Sequence, residues 1–194
     1  MIQYNYDTII EEINNLPASD RTVAKEKWGE RAIKGNHLWD ILFPDNTGYK
    51  KITDKKQQKL GVDFKIHTET GDVNVDIKVL IGPDYTEGLP VEIYQRPTRE
   101  ADIPSSYIFT NRSSKLTDWM VYIVLDKMGF RVYKIPYDII RTVSLKYKWH
   151  FEEVMTNKGL CYKCIKDEAL QKSFNGTGWY VKVMLEEYTV NMKV

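Results

Sequence analysis

The chain has 194 residues, two cysteines, a formal net charge of +1 and 42% hydrophobic residues. That is enough for one domain with a full core, and it excludes a membrane span, since no stretch approaches the roughly 18 to 20 consecutive apolar residues required. The amino-terminal stretch carries Asp7, Glu11 and Glu12 where a targeting signal would be basic and then apolar, so a cytoplasmic protein in a reducing compartment is expected.

In chain order, a first short helix is predicted over Tyr4 to Leu16, stopped by Pro17. A second runs from Ser19 to about Phe43. Ser19 or Asp20 can cap it, and Val23, Glu26, Glu30, Ile33 and His37 share one face at helical spacing. Pro44 and Asn46-Thr47-Gly48 end it. After the lysine-rich stretch Lys50 to Lys59 the pattern alternates with period two, in Val62 to Ile66 and Val73 to Val79, separated by the turn Glu69-Thr70-Gly71-Asp72. Further strands are predicted at Leu89 to Gln95, and at Trp119 to Leu125 and Phe130 to Ile135 around a Lys127-Met128-Gly129 turn. A helix from Pro136-Tyr137-Asp138 to about Lys146 and a strand within Gly178 to Leu185 complete the reading. No repeat or linker divides the chain. The expected architecture is a single α/β (α+β) domain over residues 1–194, with a core about 19–146 and an extension about 147–194. It would hold a central mixed sheet of about four to five strands flanked by helices.

Cys161 and Cys164 form a lone C-x2-C, and His37, His67 and His150 show no paired spacing, so no zinc site is expected. The chemistry lies elsewhere. On the strand Val73 to Val79 the valines and Ile77 take one face, while Asn74, Asp76 and Lys78 take the other. A carboxylate and an ammonium so placed can be a plain exposed ion pair, contributing about 0 to 1 kcal/mol. Asp63 on the preceding hairpin strand and Glu30 on the long helix supply companions, with Glu26 one turn earlier able to exchange roles with Glu30. Two carboxylates on adjacent strands suit Mg²⁺ (or Mn²⁺), which keeps several waters and completes its shell with substrate phosphate oxygens. A lysine beside them can orient water and stabilise charge developing on phosphorus.

Glu30, Gly61-Val62-Asp63 and Asp76-Ile77-Lys78 together resemble the signature of the PD-(D/E)xK, restriction-endonuclease-like nucleases, over roughly Lys25 to Ile135. Val62 stands where that family's proline falls, and the second acid is Asp. The resemblance implies a restriction-endonuclease-like core and a divalent-metal-dependent DNA nuclease, with the metal bound by Asp63 and Asp76, assisted by Glu30, and Lys78 serving catalysis. It implies an endonuclease of phage or mobile-element, junction-resolving or restriction type, with a homodimer among the forms expected. Some members carry a glutamine or a further acid on the next strand, where Glu92 and Gln95 stand; they alternate to opposite faces unless a bulge intervenes, and Gln95 is favoured.

Nucleic-acid contacts are expected from Lys50, Lys51, Lys55, Lys56 and Lys59 before Asp63, and from Arg96, Arg99, Arg112 and Lys115 after the Gln95 strand. Tyr147, Trp149, Phe151 and Tyr162, interleaved with Lys146, Lys148 and Lys163, suit either base stacking or core packing. Nothing in the chain registers a 2′-hydroxyl, so RNA stands beside DNA as a substrate class. The alternative reading is a catalytically silent nuclease-fold module that binds DNA or a protein.

Overall fold

The computed structural model describes residues 5–35, 37–82, 88–98, 101–104, 115–127, 129–146, 151–155, 160–166 and 181–184. Helix α1 (Tyr6–Asn14) is capped by Asn5, whose side chain accepts from the Asp7 N–H at 2.9 Å, and it buries Ile9 and Ile13. The single long helix expected next is two: α2 (Ala18–Gly35) and α3 (Leu38–Leu42). Gly35 ends the first, and His37 adopts a left-handed backbone with φ 50°, which turns the chain. The turn lets Leu38, Trp39 and Leu42 of α3 bury their side chains, which a straight continuation would not require.

Asn46-Thr47-Gly48 does more than end a helix, because it opens strand β1 (Asn46–Lys51). None of its residues is buried, so the strand carries no alternation to read. The short helix α4 (Lys55–Lys59) follows, with Asp54 accepting from the Lys56 N–H at 2.9 Å; it too buries nothing. Strands β2 (Phe64–Thr68) and β3 (Gly71–Ile81) form the predicted hairpin. The remaining elements are β4 (Gly88–Thr98), β5 (Ala101–Pro104), β6 (Trp119–Asp126), β7 (Gly129–Pro136), α5 (Tyr137–Lys146), β8 (Phe151–Met155), β9 (Leu160–Lys166) and β10 (Val181–Met184).

The larger sheet has six strands in the order β1-β2-β3-β6-β7-β10. Its pairs are antiparallel except β3 with β6, so the sheet is mixed, as expected, with one more strand than the four to five anticipated. A second sheet has the order β5-β4-β9-β8. β4, anticipated as the strand after the hairpin in the same sheet, belongs to this second one, and β6 takes the place beside β3. Of the chain after Lys146, β8 and β9 pair within the second sheet and β10 pairs with β7.

Helices cover the larger sheet. On one face, Trp28, Ala32, Ile33, Leu38, Trp39 and Leu42 form one apolar cluster with Val75, Ile81, Val121, Ile123, Leu125 and Val132. On the alternate positions of β6, Met120, Tyr122 and Val124 are also buried, as are Tyr137 and Ile140 of α5. Among the described residues no helix is long and apolar enough to cross a membrane.

The α2–β3 contact is close. A Cβ built on Gly29 would lie 2.3 Å from Val79 Cγ2 and 3.1 Å from Cγ1. Ordinarily Ala in place of a helical Gly stabilises by up to about 1 kcal/mol. Here Gly29→Ala is expected to destabilise by about 1 to 3 kcal/mol in urea unfolding, because α2 must lift from the β-branched Val79. A net gain in stability would show that the helix sits further from β3.

Candidate active site

The geometry of the site follows from where β2 stops. Its register with β3 runs from Thr68↔Gly71 to Phe64↔Val75, where the pairing ends one residue short of Asp63. The Asp63 N–H still donates to Val75 O at 2.9 Å, and its carbonyl accepts from the Ile52 N–H at 2.8 Å. β3 then runs on to Ile81, paired with β6 on its other side. The Asp63 carboxylate takes up the next N–H along that edge, since Oδ2 accepts from Ile77 N at 2.9 Å. Gly61, at φ 79°, provides the backbone bend that leads into this position.

Asp76 is only 4% exposed. Lys78, two residues along the strand, donates from Nζ to Asp76 Oδ1 at 2.9 Å, and its side chain remains partly exposed. The β3–β6 register sets Asp76 beside Met120 and Lys78 beside Tyr122. Asp63, Asp76 and Lys78 are therefore neighbours.

The electrostatics of the pair are unbalanced. Burial, then the Asp76 charge, then a hydrogen bond shared with Asp76 push the Asp63 carboxyl up to about 6, against the opposing pull of the Ile77 N–H and Lys78. One ammonium does not neutralise two adjacent carboxylates. A divalent cation would, so the donor set fits Mg²⁺ or Mn²⁺ with two protein carboxylates and the rest of the shell from water or phosphate.

A cavity of about 440 Å³ opens between α2 and the free edge of β3, lined by Lys25, Glu26 and Glu30 of α2, Lys51 of β1, Asp63 and Lys78. Glu30 thus faces the site, as does Glu26. However, Glu30 Oε1 accepts from Lys51 Nζ at 2.5 Å, and among the described residues no three His, Cys, Asp or Glu are grouped closely enough to hold a metal ion. The reason is topological: α2 packs on the Val79 face of β3, whereas Asp76 alternates to the other. Glu30 looks across the edge at Asp63 without joining it.

The next-strand position expected for Gln95 is corrected. Gln95 lies on β4, opposite Leu160 of β9 in the second sheet, and its side chain is outside the described residues, as is that of Glu92. A register shift does fall between Glu92 and Tyr94. Of the basic residues, Lys50 and Lys51 lie on β1 and Lys55, Lys56 and Lys59 on α4, so an ordered strand and helix replace the expected loop. Lys51 is engaged by Glu30, and Lys115 donates from Nζ to Lys59 O at 2.9 Å. Arg96 lies on β4 with its side chain undescribed, and Arg99 and Arg112 are outside the described residues. So are Tyr147 and Trp149, while Phe151 and Tyr162 fall on β8 and β9 with undescribed side chains.

Lys25 also lines the cavity, and the sequence does not single it out. Its Nζ donates to Ile81 O at 2.9 Å, and burial, then Arg21, lower its pKa. Nothing in its spacing separates it from Lys27 or Lys34 on the same helix; only docking of α2 on β3 turns it inward.

No protein-family model matches the chain, and no curated protein matches it. Among solved structures, one described as the crystal structure of MepB is similar over 82% of this chain and 99% of its own, at 14% identity and a TM-score of 0.31, too low to carry an inference.

Proposed function

We propose that this chain is a divalent-cation-dependent phosphodiesterase that cleaves DNA as an endonuclease of restriction-endonuclease-like type. The observation that supports it most is the meeting of Asp63, Asp76 and Lys78 where β2 ends and β3, among the described residues, continues unpaired on that edge beside an open cavity. A Mg²⁺ or Mn²⁺ ion held by the two aspartates would polarise a phosphoryl oxygen and make water more acidic. Asp63 and Asp76 would be its protein ligands, and Glu30, which lines the same cavity as Asp63, could reach a water of the ion's shell once parted from Lys51. Lys78 holds a proton-bearing ammonium next to Asp76, where it can orient a water and offset charge accumulating on phosphorus. Lys25 brings a second ammonium to the cavity wall, suited to a phosphate oxygen of the same strand.

One observation favours a second reading, a silent module of this fold: Glu30 is tied to Lys51, and among the described residues no third acid joins Asp63 and Asp76. Incubation with linear, branched and single-stranded DNA, and with RNA in parallel, separates the two. Cutting of DNA that requires Mg²⁺ or Mn²⁺ and stops with a chelator is the expected result. Binding without cutting on every substrate would favour the silent module, and cutting of RNA alone would reassign the substrate.

A further inference from the structure

The residues entering β6 lie across the loop that carries Asp63. Three successive residues donate to three successive carbonyls: Lys115 Nζ to Lys59 O at 2.9 Å, Leu116 N to Leu60 O at 3.0 Å, and Thr117 Oγ1 to Gly61 O at 2.6 Å. The next residue fixes the strap to β3, because Asp118 N donates to Asn74 O at 2.9 Å while Asp118 Oδ2 accepts from Asn74 N at 2.8 Å. Asn74 Nδ2 closes the frame on Leu116 O at 3.0 Å. Gly61 is two residues before Asp63, and Asn74 is two before Asp76. The strap therefore spans the two chain segments whose carboxylates must meet.

Thr117 is the inward point of the strap, with 0% exposure. A Cβ on Gly61 would lie 2.3 Å from Thr117 Oγ1 and 3.7 Å from Asp76 Oδ2, so the hydroxyl, the loop backbone and the carboxylate crowd one spot. A buried carbonyl that loses a hydroxyl donor shifts to seek another, and a 1 Å displacement at such a site is enough to cost activity about 100-fold.

We infer that Thr117 is a positioning residue: its hydroxyl holds the Gly61 carbonyl, and through that loop it sets the Asp63 carboxylate against Asp76 and the Ile77 N–H. Its catalytic consequence rests on the nuclease reading, whereas the geometric part does not. The test uses the full chain without metal, comparing amide hydrogen exchange in wild type, Thr117→Val and Thr117→Ser. Thr117→Val keeps the shape and removes the donor, so exchange of the Ile77 amide, held by Asp63 Oδ2, is expected to quicken about 10-fold or more, with Val121 and Ile123 of β6 unchanged. Thr117→Ser should restore Ile77 to within about two-fold of wild type. Calorimetry with Mn²⁺ alone should show the Kd raised about 10-fold in Thr117→Val and recovered in Thr117→Ser.

Unchanged Ile77 exchange in Thr117→Val, or equal acceleration along β6, would overturn the inference. Failure of both Thr117→Val and Thr117→Ala to fold while Thr117→Ser folds would assign the hydroxyl to stability and overturn it as well. If wild type cuts no nucleic acid but Ile77 responds as stated, the nuclease reading falls and the positioning role stands.

Discussion

Asp76→Asn is expected to lower divalent-dependent DNA cleavage by about 1,000-fold or more while the protein stays folded, because the change removes a ligand charge from an already shielded site. Asp76 is nearly inaccessible, and its charge acts on the neighbouring Asp63 carboxyl. Lys78→Met separates binding from chemistry. Its ammonium touches Asp76 but is partly exposed, so the variant should still bind Mn²⁺ and lose about 100- to 1,000-fold in the single-turnover cleavage rate. Cleavage at wild-type rate in either variant would remove the site from the reaction.

The second large effect concerns pH. In the metal-free protein the Asp63 carboxyl is raised to about 6 by burial and by Asp76, above its ordinary value of 3.8. Between those values the folded chain keeps a proton that the unfolded chain has released, so this group's stabilisation is full below about pH 4 and is lost as pH rises through about 6. Asp63→Asn keeps an acceptor for the Ile77 N–H and offers an N–H to Asp76. It should match wild type near pH 4 and exceed it by about 1 to 3 kcal/mol at pH 7.5 without metal, from urea unfolding. Mg²⁺ should then raise the stability of wild type and leave Asp63→Asn nearly unmoved. A wild type equally stable relative to the variant at both pH values would mean that neither burial nor Asp76 raises the Asp63 carboxyl.

How much was legible follows from burial. The β2–β3 hairpin and the β6–β7 pair were readable because one or both faces are buried, giving alternation or an apolar run. Asp76 and Lys78 came with them, since alternation along β3 puts both on one face, whereas Asp63 lies just beyond the paired part of β2 and takes up the Ile77 N–H after the Gly61 bend. β1 and α4 were not readable: neither buries a residue, so lysines that the chain orders into a strand and a helix look like a loop. The break at His37 depends on a left-handed backbone at a residue type that does not demand it. The assignment of β4 to another sheet could not be seen either, because strand content does not state which strand becomes a neighbour; β6 reaches β3 over a long separation in sequence and in parallel. The same distance hid Thr117, whose partner Gly61 is far away in the chain.

For this chemistry two aspartates must share one ion, and a crystal structure of the protein soaked in Mn²⁺, with anomalous scattering to locate the metal, tests that most directly. One ion should appear with carboxylate oxygens of both Asp63 and Asp76 at about 2.0 to 2.3 Å and waters facing the cavity. Manganese elsewhere, or no manganese at millimolar concentration with the two carboxyl groups still hydrogen-bonded to each other, would contradict it.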